Sequence, residues 1–533
     1  MQNKCARCNV TDTNFRASLF FSKLKPRASK RFQEHAVKMK LSNLTGRLLL
    51  AVALSLATPA GSVAVAQQVG SVGAKRTSAV GRVAVDNAAP VLERNVRAHM
   101  EFLASDAMQG RGSGTQFELL AGHYIASQLR QFGVEPAGDA ATGGKSFLQT
   151  IALTRQAFAA APVLSFSANG AEKRLAHGKE MLVGRIAAAG LKGSLQKLRA
   201  GEKPTAGAVV LLSQSDGSGV QQLFQQANAM GRAGAMAVLV AETPAIRERW
   251  AAMGADLPQL PLAGAGDAGS SSSSILILST DAYKELQAVA DGTPISIEGT
   301  LAPTQTNSTW NVVGVLRGSD PRLASEAVLL SAHMDHLGVG SGQTGDQIYN
   351  GADDDASGVV AVLELARALA GVGAKPKRTI YFVLFGSEEK GGHGANYFLA
   401  HPPVALAQMV ANLEFEMIGR PDPKVAADTL WLTGYERSNL GAELARQGAR
   451  LVQDPHPEQN FFQRSDNYAL ARRGVVAHTV SSFGLHPEYH QPGDDIAHID
   501  FAHMTRAINS MVSPVVWLVN SNFTPTWVEG KKP

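Results

Sequence analysis

The sequence predicts an α/β fold: a mostly parallel, mixed sheet sandwiched by helices, with a smaller mixed α/β module inserted. Three observations carry this expectation. From Asn311 onward, strand-like runs at residues 328–331, 379–385, 409–415, 429–432 and 475–480 alternate with helical stretches at residues 359–370, 395–400 and 440–449. Apolar strands alternating with helices mark a sheet covered on both faces. Between residues 150 and 305 the texture changes to short β-like runs at 208–212, 235–240 and 275–278, with a helical stretch at 221–232 and a serine tract at 270–274 that reads as a solvated loop. Finally, metal-seeking side chains gather just past strand ends, where such sheets collect their functional groups.

The start of the chain is a matter of targeting. Residues 1–47 hold eleven Lys/Arg against two Asp/Glu, a net of +9, and residues 48–66 are uncharged, so the whole-chain +5 leaves −4 for the rest. A mildly acidic body offers no electrostatic footprint for nucleic acid. Lys38, Lys40 and Arg47, the apolar run 48–57 and the small residues up to Ala64-Val65-Ala66 form a basic, apolar, small-x-small order. That order is a secretory signal peptide with cleavage after Ala66, too short for a stable membrane span; an uncleaved anchor is the alternative. A secreted or periplasmic chain follows, organised as an upstream extension (1–38), signal peptide (39–66), N-terminal part of the catalytic domain (67–150), insert (151–305) and catalytic domain (306–533). Cys5 and Cys8, the only cysteines, fall in the extension, so the mature chain has neither disulfide nor thiol nucleophile.

After a polar, Ala/Val-rich stretch, helices are expected over 92–103 and 117–132, separated by the turn-rich residues 109–114, with Gly133 as the helix stop. Within the later strands, the chemistry concentrates in five clusters. His333 and Asp335 emerge together from a strand, suiting a metal-bound imidazole and the carboxylate that orients it; His336 is the alternative ligand. Asp353-Asp354-Asp355 lies in a Gly/Ala/Ser-flanked turn entering a helix. One carboxylate there can place an oxygen on each of two metals, while another caps the helix. Glu388 and Glu389 leave a strand in different directions, so Glu389 can ligate while Glu388 serves as general base and acid. Glu414 and Glu416 share one face of an apolar strand, and burying them unpaired is costly, so a metal on Glu416 is expected. His490, fixed by the Pro-rich loop after it, is the preferred ligand of the last cluster, with His486 as competitor. Imidazoles and carboxylates in this number suit a metallohydrolase with two zinc ions.

The ordered motifs H-M-D-H-L-G (333–338), G-A-D-D-D-A-S-G (351–358), G-S-E-E-K-G (386–391), F-E-M-I-G-R (415–420) and H-P-E-Y-H-Q-P-G-D (486–494) resemble the co-catalytic di-zinc exopeptidase family, which includes bacterial leucyl aminopeptidase and glutamate carboxypeptidase. Residues 99–114 and 461–467 look like the same family, and the likeness spans roughly residues 92–522. The resemblance implies two zinc ions per chain, one on His333 and Glu416, the other on Glu389 and His490, with Asp353 bridging, Asp354 cis-linked to it, and Glu388 as general base. Many members carry Asp where this chain has Glu416. The 151–305 insert resembles a protease-associated domain.

These readings lead to an aminopeptidase acting on peptide substrates. A carboxypeptidase of the same family is the nearest rival; it needs an arginine cluster for a free carboxylate, whereas Arg111, Arg420 and Arg464 lie singly in separate motifs. A non-catalytic peptide-binding protein on the same scaffold is the reading from another class.

Overall fold

The computed structural model describes residues 88–213, 219–255, 257–260, 263–264, 273–340 and 345–533. The expected signal peptide, both cysteines and most of the serine tract lie outside the described residues. The larger sheet runs in the order 263–264, 148–155, 305–316, 379–385, 327–333, 409–415, 477–481, 430–432, 451–453. Its centre is parallel: Ala327–His333 pairs in parallel with both Thr379–Phe385 and Met409–Phe415, and the latter with Ala477–Ser481. These runs are buried almost throughout because their residues are apolar on both faces. Antiparallel strands flank that centre, with Gln305–Leu316 against Thr379–Phe385 and Leu430–Leu432 against Ala477–Ser481. The mixed α/β sheet expected from the sequence is therefore present.

Parallel pairing has a direct consequence for function. It brings the carboxyl ends of neighbouring strands to one edge, and the register sets His333 beside Phe385 and Ser331 beside Glu414. Helix Gly358–Ala370 covers one face and is buried nearly all round, against Glu93–Leu103 and Phe501–Asn520. Its one buried acid, Glu364, is matched by Arg367 at 2.7 Å and His99 at 3.7 Å. The opposite face is covered by His393–Ala400 and Asn467–Arg472. Helices Glu93–Leu103 and Gln116–Gln131 occur where the apolar periodicity placed them, and Gly133 takes φ +86° at the second helix's end. That left-handed conformation is one glycine adopts freely.

A second sheet of eight strands, between Val163–Ala168 and Pro294–Glu298, has its own apolar cores. In it Val209–Ser213, Ala237–Ala241 and Ser274–Leu278 run parallel, with helix Val220–Arg232 between the first two. The boundary expected at residue 151 falls inside a strand, Leu148–Arg155, which pairs antiparallel with Gln305–Leu316 in the larger sheet. Ala263–Gly264 returns to pair with that same strand. Leu148–Arg155 buries alternate residues, so it lacks the continuous apolar run that marks the central strands. Among the described residues no helix is long and apolar enough to cross a membrane.

Candidate metal centre

The Asp-rich turn sets the geometry. Residues 352–357 form a wide turn leading into helix Gly358–Ala370, and Asp354 there leaves helical geometry at φ −103°, ψ 96°. Its carboxylate is thereby thrown out toward the strand ends, and the Asp354–Asp355 peptide is cis. Asp354 Oδ1 lies 3.1 Å from His333 Nε2, while Oδ2 lies 3.1 Å from His490 Nε2. Its neighbours point elsewhere. Asp355 accepts the N–H groups of Gly358 (2.9 Å) and Met417 (3.2 Å), joining the helix start to a strand end.

Asp353, which the family resemblance made the shared ligand, does not take that place. Its Oδ1 accepts from Gly419 N (2.7 Å) and Ser357 Oγ (3.2 Å), and its Oδ2 sits 3.0 Å from His486 Nε2. The shared carboxylate is one residue further on, and the cis bond likewise follows Asp354 rather than preceding it. Three consecutive aspartates cannot be told apart by spacing; the direction of each side chain is decided by the backbone of the turn. His486 is accordingly engaged with Asp353, leaving His490 at the centre.

Two overlapping groups of potential ligand atoms result, His333–Asp354–Glu416 and His336–Asp354–Glu389, each within 4.8 Å mutual distance. His333, Glu416 and Glu389 thus lie where the sequence placed them, at the ends of three parallel strands. His490 Nε2 approaches the second group as well, 3.3 Å from Glu389 Oε1. His336, weighed in the sequence only as a substitute for His333, is fully buried with Nδ1 2.9 Å from Glu389 Oε1. Its ring meets His490 edge-on, with centroids 5.7 Å apart.

Asp335 departs in detail from the orienting role expected of it. The nearest group to His333 Nδ1 is the Asp335 carbonyl at 3.2 Å; the carboxylate is 3.8 Å away. That carboxylate instead accepts from Glu388 N at 3.0 Å and from the Ser113 hydroxyl. It fixes the backbone from which the expected general base projects.

Other supports carried no ligand signature in the sequence. Asp494 accepts from Asp353 N and Asp354 N at 2.9 and 3.0 Å, pinning the turn. Glu118 accepts from Gly114 N, Thr309 Oγ1 and Ser387 N, tying the Gln116–Gln131 helix to the loop before Glu388. Arg111, buried, donates to the carbonyls of Leu103, Met334, Asn350 and Gly351 at 2.7–3.1 Å. Arg111→Ala would orphan several buried acceptors at about 1–3 kcal/mol each. The expected result is a loss of roughly 3 kcal/mol or more, read as a lower denaturant midpoint at unchanged slope.

The electrostatics describe a site short of positive charge. Burial pushes Glu388 well above the usual carboxylate range; His333 opposes this, while Asp466, Glu416 and Glu389 add to it. Burial likewise lifts Asp466 to about 7. Against burial and Asp354, the imidazoles of His336 and His490 hold Glu389 down to about 2. Asp354 and Glu389 in turn raise His490 to about 10, over the opposing effect of burial. Both Glu414 oxygens and His336 Nε2 are buried without a hydrogen-bond partner among the described residues. Crowded, incompletely paired carboxylates with imidazoles interleaved need cationic compensation. The nitrogen and oxygen donors fit zinc, and Asp354 offers an oxygen to each group.

Residues 311–515 match the model of Peptidase family M28. The chain is 27% identical over 212 residues to probable leucine aminopeptidase 2 of Aspergillus oryzae, covering 38% of this chain and 40% of that protein. It is 31% identical over 115 residues to Leupeptin-inactivating enzyme 1 of Streptomyces exfoliatus, covering 21% and 24%. The chain thus spans less than half the length of these curated relatives. An aminopeptidase from Aneurinibacillus sp. strain AM-1 shares the fold, with a TM-score of 0.50 at 17% identity over 83% of this chain and 97% of that one. The segment that matches this family model contains the strand ends, the Asp-rich turn and the His490 loop.

Proposed function

We propose that the protein is an exported di-zinc aminopeptidase that removes N-terminal residues from peptides. The observation that carries the reading is the sharing of Asp354 between two ligand groups, with Glu388 beside both. His333, Asp354 and Glu416 would hold one ion; Asp354, Glu389 and His490 would hold the other. His336 would donate through Nδ1 to Glu389 and so fix that carboxylate, a tautomer assigned from its partner. When bound, zinc polarises a substrate carbonyl and lowers the pKa of water.

The chain's own groups account for the rest. Glu388 takes a proton from the attacking water and delivers it to the amine that leaves as the amide bond breaks. The Asp335 carboxylate keeps Glu388 in place by accepting its backbone N–H. Carboxylates crowding the centre attract a free, protonated amine, which favours cleavage at an N-terminus. A narrow cavity beside Glu416, lined by Trp431, Phe461, Phe483 and Tyr489, suits an apolar N-terminal side chain.

Leucyl-anilide hydrolysis by the mature chain should fall to background on dialysis against a chelator and return on adding zinc. Activity indifferent to chelation would remove the metal from the account. Blocking the N-terminus of a peptide should abolish cleavage; preferential cleavage of blocked peptides would instead identify a carboxypeptidase.

A further inference from the structure

We propose that the enzyme selects short peptides bearing a carboxylate on the leaving side of the scissile bond, read by Arg464, Arg472 and Arg473. This rests on the aminopeptidase reading and adds a substrate class to it. A cavity of about 540 Å³ opens from Glu388 and is bounded by the loop Gln463–Asp466 and the face of the following helix. The narrow aromatic cavity reaches Glu416 rather than Glu388, and the two share Arg464 and Ser465 as a common wall. The base hands its proton to the departing amine, so the residue that leaves lies on the Glu388 side. The larger cavity is therefore where the leaving fragment sits.

Its charge is unusual for a mildly acidic body. Three arginines line it, all exposed, and among the described residues none has an acidic partner. Arg464 is held in the wall by Tyr489 Oη at 3.4 Å and by the Phe461 ring, 4.9 Å from its guanidinium carbon. Arg472 ends the Asn467–Arg472 helix and Arg473 follows it, so both stems rise from the cavity rim. The acids of the lining are Glu388, committed to proton transfer, and buried Asp466. A guanidinium fork matches a carboxylate, and unpaired forks along one cavity recognise an anion there. On a leaving fragment, that anion is either the free C-terminus of a di- or tripeptide or an acidic side chain.

The test compares Leu-Ala, Leu-Ala-amide, Leu-Asp-amide and acetyl-Leu-Ala as substrates of the zinc-loaded chain. Exposed ion pairs are individually weak, so three acting together give roughly a ten-fold higher kcat/KM for a carboxylate-bearing substrate over Leu-Ala-amide. The preference should shrink with added salt. Preference for Leu-Ala assigns the C-terminal carboxylate, and preference for Leu-Asp-amide assigns the side chain. In Arg472→Gln/Arg473→Gln the acid-to-amide ratio should drop several-fold toward one, mainly through KM, and the double Lys variant should restore much of it. Equal rates on Leu-Ala, Leu-Asp-amide and Leu-Ala-amide, with acetyl-Leu-Ala inert, would overturn this inference and leave the aminopeptidase reading standing. Faster cleavage of acetyl-Leu-Ala than of Leu-Ala would instead overturn that reading, and this inference with it.

Discussion

Asp354→Asn is expected to empty the centre of metal, while Asp353→Asn is expected to leave it loaded. Asp354 is the one carboxylate common to both ligand groups, so neutralising it weakens both sites at once. Zinc content should fall from about two per chain to below one, and peptidase activity should fall to background. The substitution is nearly isosteric, so packing around the turn is preserved. Asp353 faces Gly419 N, Ser357 Oγ and His486 instead. Replacing its carboxylate disturbs those hydrogen bonds at about 1–3 kcal/mol, visible in stability rather than in zinc content. Elemental analysis and thermal unfolding of the two variants, side by side, separate these outcomes. A chain that keeps its zinc without Asp354 and loses it without Asp353 would restore the assignment made from the sequence.

Glu388→Gln should retain zinc and lose turnover. The group sits beside both ligand groups without belonging to either, and the Asp335 carboxylate holds its backbone. A glutamine keeps shape and can accept that position, but it cannot take a proton. General acid–base catalysis contributes roughly 10²- to 10⁴-fold, so kcat should fall by about that factor with a smaller change in KM. Steady-state kinetics on a leucyl-anilide, paired with zinc content, reads the effect; wild-type turnover in a zinc-replete variant would eliminate Glu388 as base.

Much of this arrangement is legible in the residues because a parallel sheet converts sequence order into spatial convergence. His333, Glu389 and Glu416 each follow an apolar run, and parallel pairing of those runs brings their ends together. What was not legible depended on backbone direction or on isolated tertiary contacts. The choice among Asp353, Asp354 and Asp355 is made where the backbone leaves helical geometry at Asp354 and Asp355, which no spacing rule encodes. Arg111, Glu118 and Asp494 act through hydrogen bonds to backbone groups distant in the chain, so they carry no periodicity. His336 stands beside a visible ligand motif, yet its place in the second group depends on how the loop after the strand folds back. Leu148–Arg155 alternates in burial as an outer strand of the larger sheet, so it lacks the continuous apolar run by which the central strands are read.

The most direct test is anomalous scattering at the zinc edge from crystals of the zinc-loaded protein. Two peaks about 3.5–4 Å apart should flank the Asp354 carboxylate, one against His333 and Glu416 and the other against Glu389 and His490. A single peak, or density centred on Asp353 and His486, would contradict the account.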